Sequence, residues 1–477
     1  MLTSPDLRAQ LHAPRVFDSS ELPADPDVLG RLVEGTRDAD LAARPVVLPD
    51  FHHKSKLEMP SSIAVATLDS IRPTLTSGSV NCGMALLGLD VDRPGRPAVE
   101  EFFRRVRERF PYPKSNRREL TTAEAVQAAV DGSRFAADRW DVGREDVERV
   151  EEGGRLDLAP YGGGERLLRE LPALTFYLAG LRFGSIGPSN HFVELQEVEQ
   201  VLDPAAAELL GVRQGQVVLQ YHAGGGVLTG EIGRLFGRRK DYPRHLRAVM
   251  AVQKPLFHLG TARSAAQLRE RMGLYFADGC PPVPRHSDEG QRLLLANAAA
   301  MNYGFAFRLA TYAALRQLIG EVFGGRRTSL VVDSPHNSIY EEDVDGTSAV
   351  VHRHNSCRAY PASRMPEGTV FAQTGQAVLV PGTSRTSSYL CVAGQDSQAS
   401  LYSACHGAGT VVKEFAGRPG ATGDHLQRST LRFRYSDQGA EVTPHHDDAG
   451  IDAAVGILTG HGLVRPVARL RPFAVLN

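Results

Sequence analysis

The sequence predicts an α+β protein, a single large mixed α/β unit with its functional site at strand ends. Three observations lead there. The 477 residues hold no Pro/Ser-rich linker, low-complexity tract or solenoid-period repeat, which favours one large or closely fused unit. Amphipathic stretches with recognisable caps alternate with short apolar runs of strand length. Five stretches, at 79–84, 184–194, 222–226, 333–337 and 400–410, set a histidine or cysteine in a Gly-rich or strand-end turn.

Composition narrows the function classes. With 42% hydrophobic and 23% charged residues the chain can bury a sizeable core. A formal net charge of -1 supplies no global field toward nucleic acid, so any RNA groove must be a local patch such as Arg234, Arg238, Arg239, Lys240, Arg244 and Arg247. Five cysteines (Cys82, Cys280, Cys357, Cys391, Cys405), widely spaced and without a CxxC, together with no signal-like start, read as a reduced cytoplasmic protein. No apolar stretch reaches the length of a membrane span, which argues against a membrane role.

In chain order, residues 1–44 form a polar, Pro-punctuated segment expected to pack on the core. VVLPDFHH should be a short strand delivering Asp50, His52 and His53 to a loop. SSIAVATLD and TLTSGSVNCGMALLGLD read as strands around a tight turn, with Cys82 between Gly78 and Gly83, better placed as a ligand than as core filler. Residues 97–110 carry Val99, Phe102, Val106 and Phe110 on one helical face, with Glu100 and Glu101 four residues before Arg104 and Arg105. Thr121 and Glu124 fit a capping box for a helix that stops at Gly132. In GSIGPSNHFVELQEV, strand alternation would put His191 and Val193 on one face and Asn190, Phe192 and Glu194 on the other. Asp203, Pro204 and Gly211 mark a short capped helix, and VVLQYHAGGG ends a strand at His222. The longest helix should span about 288–320. SLVVDSPHN ends a strand at His336 and Asn337, VVHRHN brings His352 and His354, and 381–388 is a polar turn between two strands. Asp447 or Asp448 should cap a helix, and Cys405 should pack away from its neighbour His406.

Each of these motifs sits at the C-terminal end of an apparent strand, the regularity that suggests convergence. Cys82, His191, His222 and His336 make an N/S ligand set drawn from distant segments, unlike the paired spacing of a zinc finger. Ligand softness alone selects zinc. His406, followed by Gly407, Ala408 and Gly409, is open to a bulky partner, and the glycines let backbone N–H groups approach phosphate oxygens. That suits a histidine that attacks phosphorus.

Over roughly residues 45–477 the chain resembles the RtcB family of RNA-splicing ligases, through VNCGM, GSIGPSNHFVE, YHAGGG, NYGFAFR, SPHN, VHR, VLVPGTSRTSSY, HGAG and RLRPFAV in order. The resemblance implies an RtcB-like catalytic domain over 45–477, with central β-sheets and peripheral helices. It implies GTP- and Mn2+-dependent joining of RNA 3'-phosphate or 2',3'-cyclic phosphate ends to 5'-hydroxyl ends, as in RNA repair or tRNA splicing, through a covalent guanylate on His406. Cys82 would bridge two metal ions, His191 on one and His222 and His336 on the other, with Zn2+ as an alternative occupant. GTP would be held by Asn190, His191, Phe192, Val193 and Glu194, with Glu194 reading the guanine edge. Further contacts would come from His336, Asn337, Pro381, Gly382, Thr383, Ser384, Ser388, His406, Gly407, Ala408, Gly409 and the last residue, Asn477. An archease activator and a monomeric state are further expectations, and Asp50 with nearby basic residues is a weaker candidate for the RNA end.

The chain also departs from the family pattern. Ser79 stands where the family has a metal-binding aspartate, and Asn477 where it has a GMP-contacting lysine, so a terminal carboxylate would sit near phosphate unless it turns away. HAGGG lacks the family's Ser-Arg, Thr410 replaces an arginine after HGAG, and His354 stands in HRHN where the family has HRKG. Charge-assisted contacts to phosphate are worth about 1.5 to 3 kcal/mol each, so these losses predict weakened catalysis. The alternative they raise is a divergent paralogue that binds RNA ends or guanine nucleotide, or self-guanylates, without efficient ligation.

Overall fold

The structure, a computed structural model, describes residues 10–55, 57–113, 117–187, 190–237, 244–277, 280–324, 327–436 and 439–477. Its organising element is the helix Asp288–Phe323, three residues longer than expected, opened by Ser287, whose side chain accepts from the Gly290 N–H, and closed by left-handed Gly324. It is buried on almost every face over its first seven turns, because helices Arg96–Arg109, Thr122–Asp131, Ser133–Trp140 and Gly226–Phe236 pack around it. Val99, Phe102, Val106 and Phe110 are buried as expected, joined by Phe103. Arg104 and Arg105 both pair with Glu101, whereas Glu100 pairs with Arg96. The Thr121–Glu124 capping box and the stop at Gly132 are present, as is the Asp203-capped helix Pro204–Leu210.

Beside this helical layer lies the main sheet, whose strands run in the order 377–380, 388–393, 464–476, 192–201, 217–223, 83–89 and 328–335. Consecutive members of that path are antiparallel. A hairpin of 429–433 and 440–444 adds to it, with 429–433 running parallel to the long strand Val464–Leu476. A second, five-stranded sheet has the order 15–16, 46–52, 61–67, 347–354 and 337–344. Residues 10–44 lie against it through Arg15–Val16, which pairs with Val46–Val47, and through buried Phe17 and Leu22.

The antiparallel topology corrects one expectation. Cys82 and His191 precede their strands, whereas His222 and His336 lie at the ends of theirs. Neighbouring strands that run in opposite directions bring a beginning beside an end, so all four residues reach one edge of the sheet. Asp50 is also placed differently: it lies inside the strand Val46–His52, in a left-handed conformation (φ 67°) where the pairing register shifts. No helix among the described residues is long and apolar enough to cross a membrane.

Candidate active site

Strand order builds the first part of the site. His222 lies in register with both Met84 and Phe192 on its flanking strands, so the residues just before those strands, Cys82 and His191, converge on it. Cys82 Sγ is 3.3 Å from His222 Nε2 and 3.5 Å from His191 Nε2. Ligand atoms of Cys82, His222 and His336 all lie within 4.8 Å of one another, and all three residues are buried.

Backbone contacts pin this group. The Cys82 N–H donates to Ser79 O and the His336 N–H donates to Cys82 O. Gly83 follows because a Cβ there would meet Ser334 O at 2.6 Å and the Pro335 Cα at 2.9 Å. Arg308, at the end of the NYGFAFR run, forms a buried ion pair with Asp333 and donates to Asn81 Oδ1 at 2.6 Å, fixing the turn before Cys82. His222 Nδ1 is 2.7 Å from Asn190 O, which makes that nitrogen the N–H donor and turns the Nε2 lone pair toward Cys82.

These side chains fit a metal ion. A thiol and two imidazoles bring their ligand atoms within 4.8 Å of one another, and among the described residues His336 Nδ1 is buried with no hydrogen-bond partner. Burial drives the pKa values of His222 and His336 well below the usual histidine range, reinforced by neighbouring histidines, so both rings are neutral and free to donate a lone pair.

His406 follows the strand Ser403–Cys405. Its ring stacks on His336 with centroids 3.4 Å apart and lies 5.2 Å from the ring of His222. Desolvation, with a smaller push from Lys54, lowers its pKa to about 3 and leaves it neutral. The turn beneath it is held from below: Arg353, paired with Glu342, donates to Ser403 Oγ and Leu401 O. Cys405 packs in the apolar core, as expected. Asp50 accepts from the Thr410 and Val411 N–H groups at 2.8 and 3.2 Å, so it caps the helix Gly409–Ala416 instead of reaching outward to an RNA end.

Beside this group opens a cleft of about 740 Å³. Of the residues expected to hold nucleotide, Asn190, His191, Phe192, Glu194, Pro381, Gly382, Thr383, Ser384, Ser388 and Asn477 line it. Strand alternation did not separate His191 from Phe192 and Glu194, because His191 precedes the strand and all three line the cleft. Val193 points the other way into the apolar core. His336, His406 and Gly407–Gly409 lie outside the cleft lining, and so does Asn337, whose amide is spent on Ser79 O and the Asn355 N–H.

Glu194 sits at the floor of the cleft, 4% exposed, accepting from Gln196 Nε2 at 2.6 Å. Burial outweighs that hydrogen bond and pushes its pKa up to about 8. The 381–388 turn is shaped by Gly382, where a Cβ would lie 2.2 Å from Ser387 O. Asp448 holds the turn from outside, accepting from the Ser387 N–H and Oγ, each at 2.8 Å, and pairing with Arg471 at 2.6 Å. Asp448 is therefore at the cap position of helix Ala449–Gly460 without capping it by its side chain, while Asp447 Oδ1 accepts from the Ala449 N–H.

The cleft is also lined by cations that the sequence did not assign to it: Arg385, Lys413, Arg432 and, when protonated, His446, which the sequence places in a loop. Arg385 lay within a quoted motif and Lys413 seven residues after His406, but Arg432 carried no signal in the sequence. Of the basic cluster, Arg234 pairs with Glu231, Arg244 and Arg247 are exposed, and Arg238, Arg239 and Lys240 lie outside the described residues.

A family model described as tRNA-splicing ligase RtcB matches residues 39–477. The tRNA-splicing ligase RtcB of Pyrococcus abyssi is 28% identical over 413 residues, covering 83% of this chain and 42% of the relative. That of Pyrococcus horikoshii is 29% identical, with 83% and 44% covered. The chain thus spans less than half the length of these relatives. The RNA-splicing ligase RtcB of Mycobacterium tuberculosis is 29% identical over 449 residues, 90% of this chain and 96% of the relative.

Proposed function

This chain belongs to the RtcB family of tRNA-splicing ligases, and from that premise we propose that it is a GTP- and metal-dependent RNA ligase. Its substrates are RNA ends bearing a 3'-phosphate or 2',3'-cyclic phosphate and ends bearing a 5'-hydroxyl. The observation that carries the reading is the stacking of His406 on His336 at 3.4 Å, next to a cleft with a carboxyl floor.

Glu194, when ionised, accepts from guanine N1–H and N2–H, which adenine cannot supply. A ring nitrogen of neutral His406 attacks the α phosphorus of GTP; an N–P bond forms, the bond to the β-phosphate oxygen breaks, and pyrophosphate leaves. An oxygen of the RNA 3'-phosphate then takes the guanylate from His406. The 5'-hydroxyl attacks that activated phosphate and GMP departs, leaving a phosphodiester. A cyclic end must first be opened by water. One or two divalent ions, manganese by family expectation and zinc as a possible occupant, would be held by Cys82, His191, His222 and His336, and would neutralise phosphoryl charge.

Ser79 favours a second reading, self-guanylation without efficient sealing, because its neutral side chain offers one ligand site no negative charge. Incubation with labelled GTP and Mn2+ tests the first step: covalent label on the chain, absent in His406→Ala, is expected. Sealing of a 2',3'-cyclic phosphate RNA to a 5'-hydroxyl RNA tests the rest. Absence of label in the wild type rejects the ligase reading, and label without sealing selects the paralogue.

A further inference from the structure

Three strands of the main sheet place Glu194, Val475 and Arg432 in one row. Val475 is in register with Glu194 on one side and with Arg432 on the other, and all three line the cleft. The adjacent row, Val193, Leu476 and Phe433, belongs to the apolar core, as alternation across a pleated sheet requires. A carboxyl and a guanidinium therefore flank an apolar floor, two strand spacings or roughly 10 Å apart at the backbone.

Arg432 is also oriented. Its Nε donates to Asn477 Oδ1 at 3.0 Å, and the Asn477 N–H donates to Phe433 O. Among the described residues Arg432 has no carboxylate partner, and both terminal nitrogens of the fork are left for a ligand. A guanine ring resting on Val475 with N1–H and N2–H toward Glu194 keeps two acceptors, O6 and N7, free on the adjoining edge. Those two atoms are the pair that an arginine fork takes bidentately in nucleic-acid grooves.

We infer that Arg432 is the second guanine-reading residue of the cleft, taking O6 and N7 through its terminal nitrogens, with Asn477 as the residue that positions it. This rests on the nucleotide reading above and goes beyond it. Where the family pattern has a lysine at the last position, this chain has a shorter amide that reaches a guanidinium on the neighbouring strand. A cation for the nucleotide is thus supplied from a different part of the sequence.

The test is a binding series with GTP, 7-deaza-GTP (no N7), ITP (no N2 amino group) and ATP, on wild type, Arg432→Gln, Asn477→Ala and Glu194→Gln. Wild type should prefer GTP over 7-deaza-GTP by about tenfold or more, within the range of one bidentate contact. Arg432→Gln should abolish that preference while keeping the preference for GTP over ITP. Asn477→Ala should reduce the 7-deaza discrimination several-fold, and Glu194→Gln should remove the ITP discrimination alone. These ratios are insensitive to a general loss of folded protein. If Arg432→Gln weakens GTP and 7-deaza-GTP equally, the guanidinium serves phosphate or structure and the inference falls. An unchanged ratio overturns it as well. A wild type that fails to distinguish GTP from ATP rejects the nucleotide reading itself, and the inference with it.

Discussion

The Cys/His cluster and the cleft proposed to hold nucleotide lie side by side yet are built by opposite means. In the cluster each side chain is fixed by its own neighbours in sequence or by the strand alongside: Cys82 through Ser79 and His336, His222 through Asn190. The cleft takes its charged residues from segments far apart, Arg385, Lys413 and Arg432, each on a different element. Rigid ligands keep their positions only if every pin remains. A cleft that neutralises a polyphosphate needs positive charge nearby, which several backbones can supply. The cluster should therefore fail sharply when one brace is lost, and the cleft should degrade by degrees.

The largest effect is expected at Arg308. Its fork is split between Asp333 and Asn81, and it is fully buried. Arg308→Gln leaves Asp333 as an unpaired buried carboxylate, a loss of about 3–5 kcal/mol. It also frees the turn before Cys82, so metal affinity should fall by about 10- to 100-fold. Chemical denaturation and metal titration measure the two. A variant with wild-type metal affinity would show that the cluster does not depend on its brace.

Ser79→Asp acts on the same cluster in the opposite direction. Ser79 O already receives the Cys82 N–H, which places the side chain at the entry of the turn that carries the thiol. A carboxylate there adds one negative ligand, and Mn2+ should bind about tenfold more tightly, a gain of about 1.4 kcal/mol. Covalent guanylation at limiting Mn2+ should rise in step. If neither changes, position 79 is outside the metal shell in this chain.

Much of the cluster was legible in the sequence because its residues stand next to turn-forming glycines and prolines at strand boundaries, as with Cys82 before Gly83 and His336 after Pro335. The long helix and the Thr121 box were legible for the same local reason. What was not legible depended on pairing between strands. The parallel pairing of 429–433 with 464–476, itself beside 192–201, decides that Arg432 reaches the cleft. Strand direction decides that Cys82 and His191 start their strands instead of ending them. Asp50 was misplaced because its left-handed backbone turns the carboxylate onto the Thr410 N–H, and no spacing rule announces such a kink.

A smaller effect concerns pH. Glu194 has a pKa near 8 in the free protein, and a guanine edge that donates two hydrogen bonds favours the ionised form, so binding releases a proton. GMP affinity should rise about fivefold between pH 7 and pH 8 by proton linkage. Glu194→Gln should bind more weakly and without that slope. The same shift bears on stability: a carboxyl whose folded pKa is raised from 4.5 to about 8 favours folding at low pH, and that contribution is lost as pH rises through this window. The wild type should therefore lose stability relative to Glu194→Gln as pH rises from 5 to 8, read from the two denaturation midpoints. A flat binding profile would mean that binding does not change the protonation of this carboxyl.

The smallest effect is expected where the cleft is held from outside. Asp448 accepts two hydrogen bonds from Ser387 and pairs with Arg471, which also reaches Glu199. Asp448→Ala removes contacts worth about 1.5–3 kcal/mol to the fold, but the turn keeps its internal bonds from the Thr383 N–H to Thr386 Oγ1 and from the Gly382 N–H to Ser388 Oγ. GTP affinity should fall only about two- to threefold, with the rate of guanylation at saturating GTP unchanged. That contrast with Arg308→Gln is the sharpest test of the difference between the regions. A hundredfold loss at Asp448 would mean that the cleft is as tightly braced as the metal cluster, and its cations could not then be exchanged among backbones as freely as their scattered origins suggest.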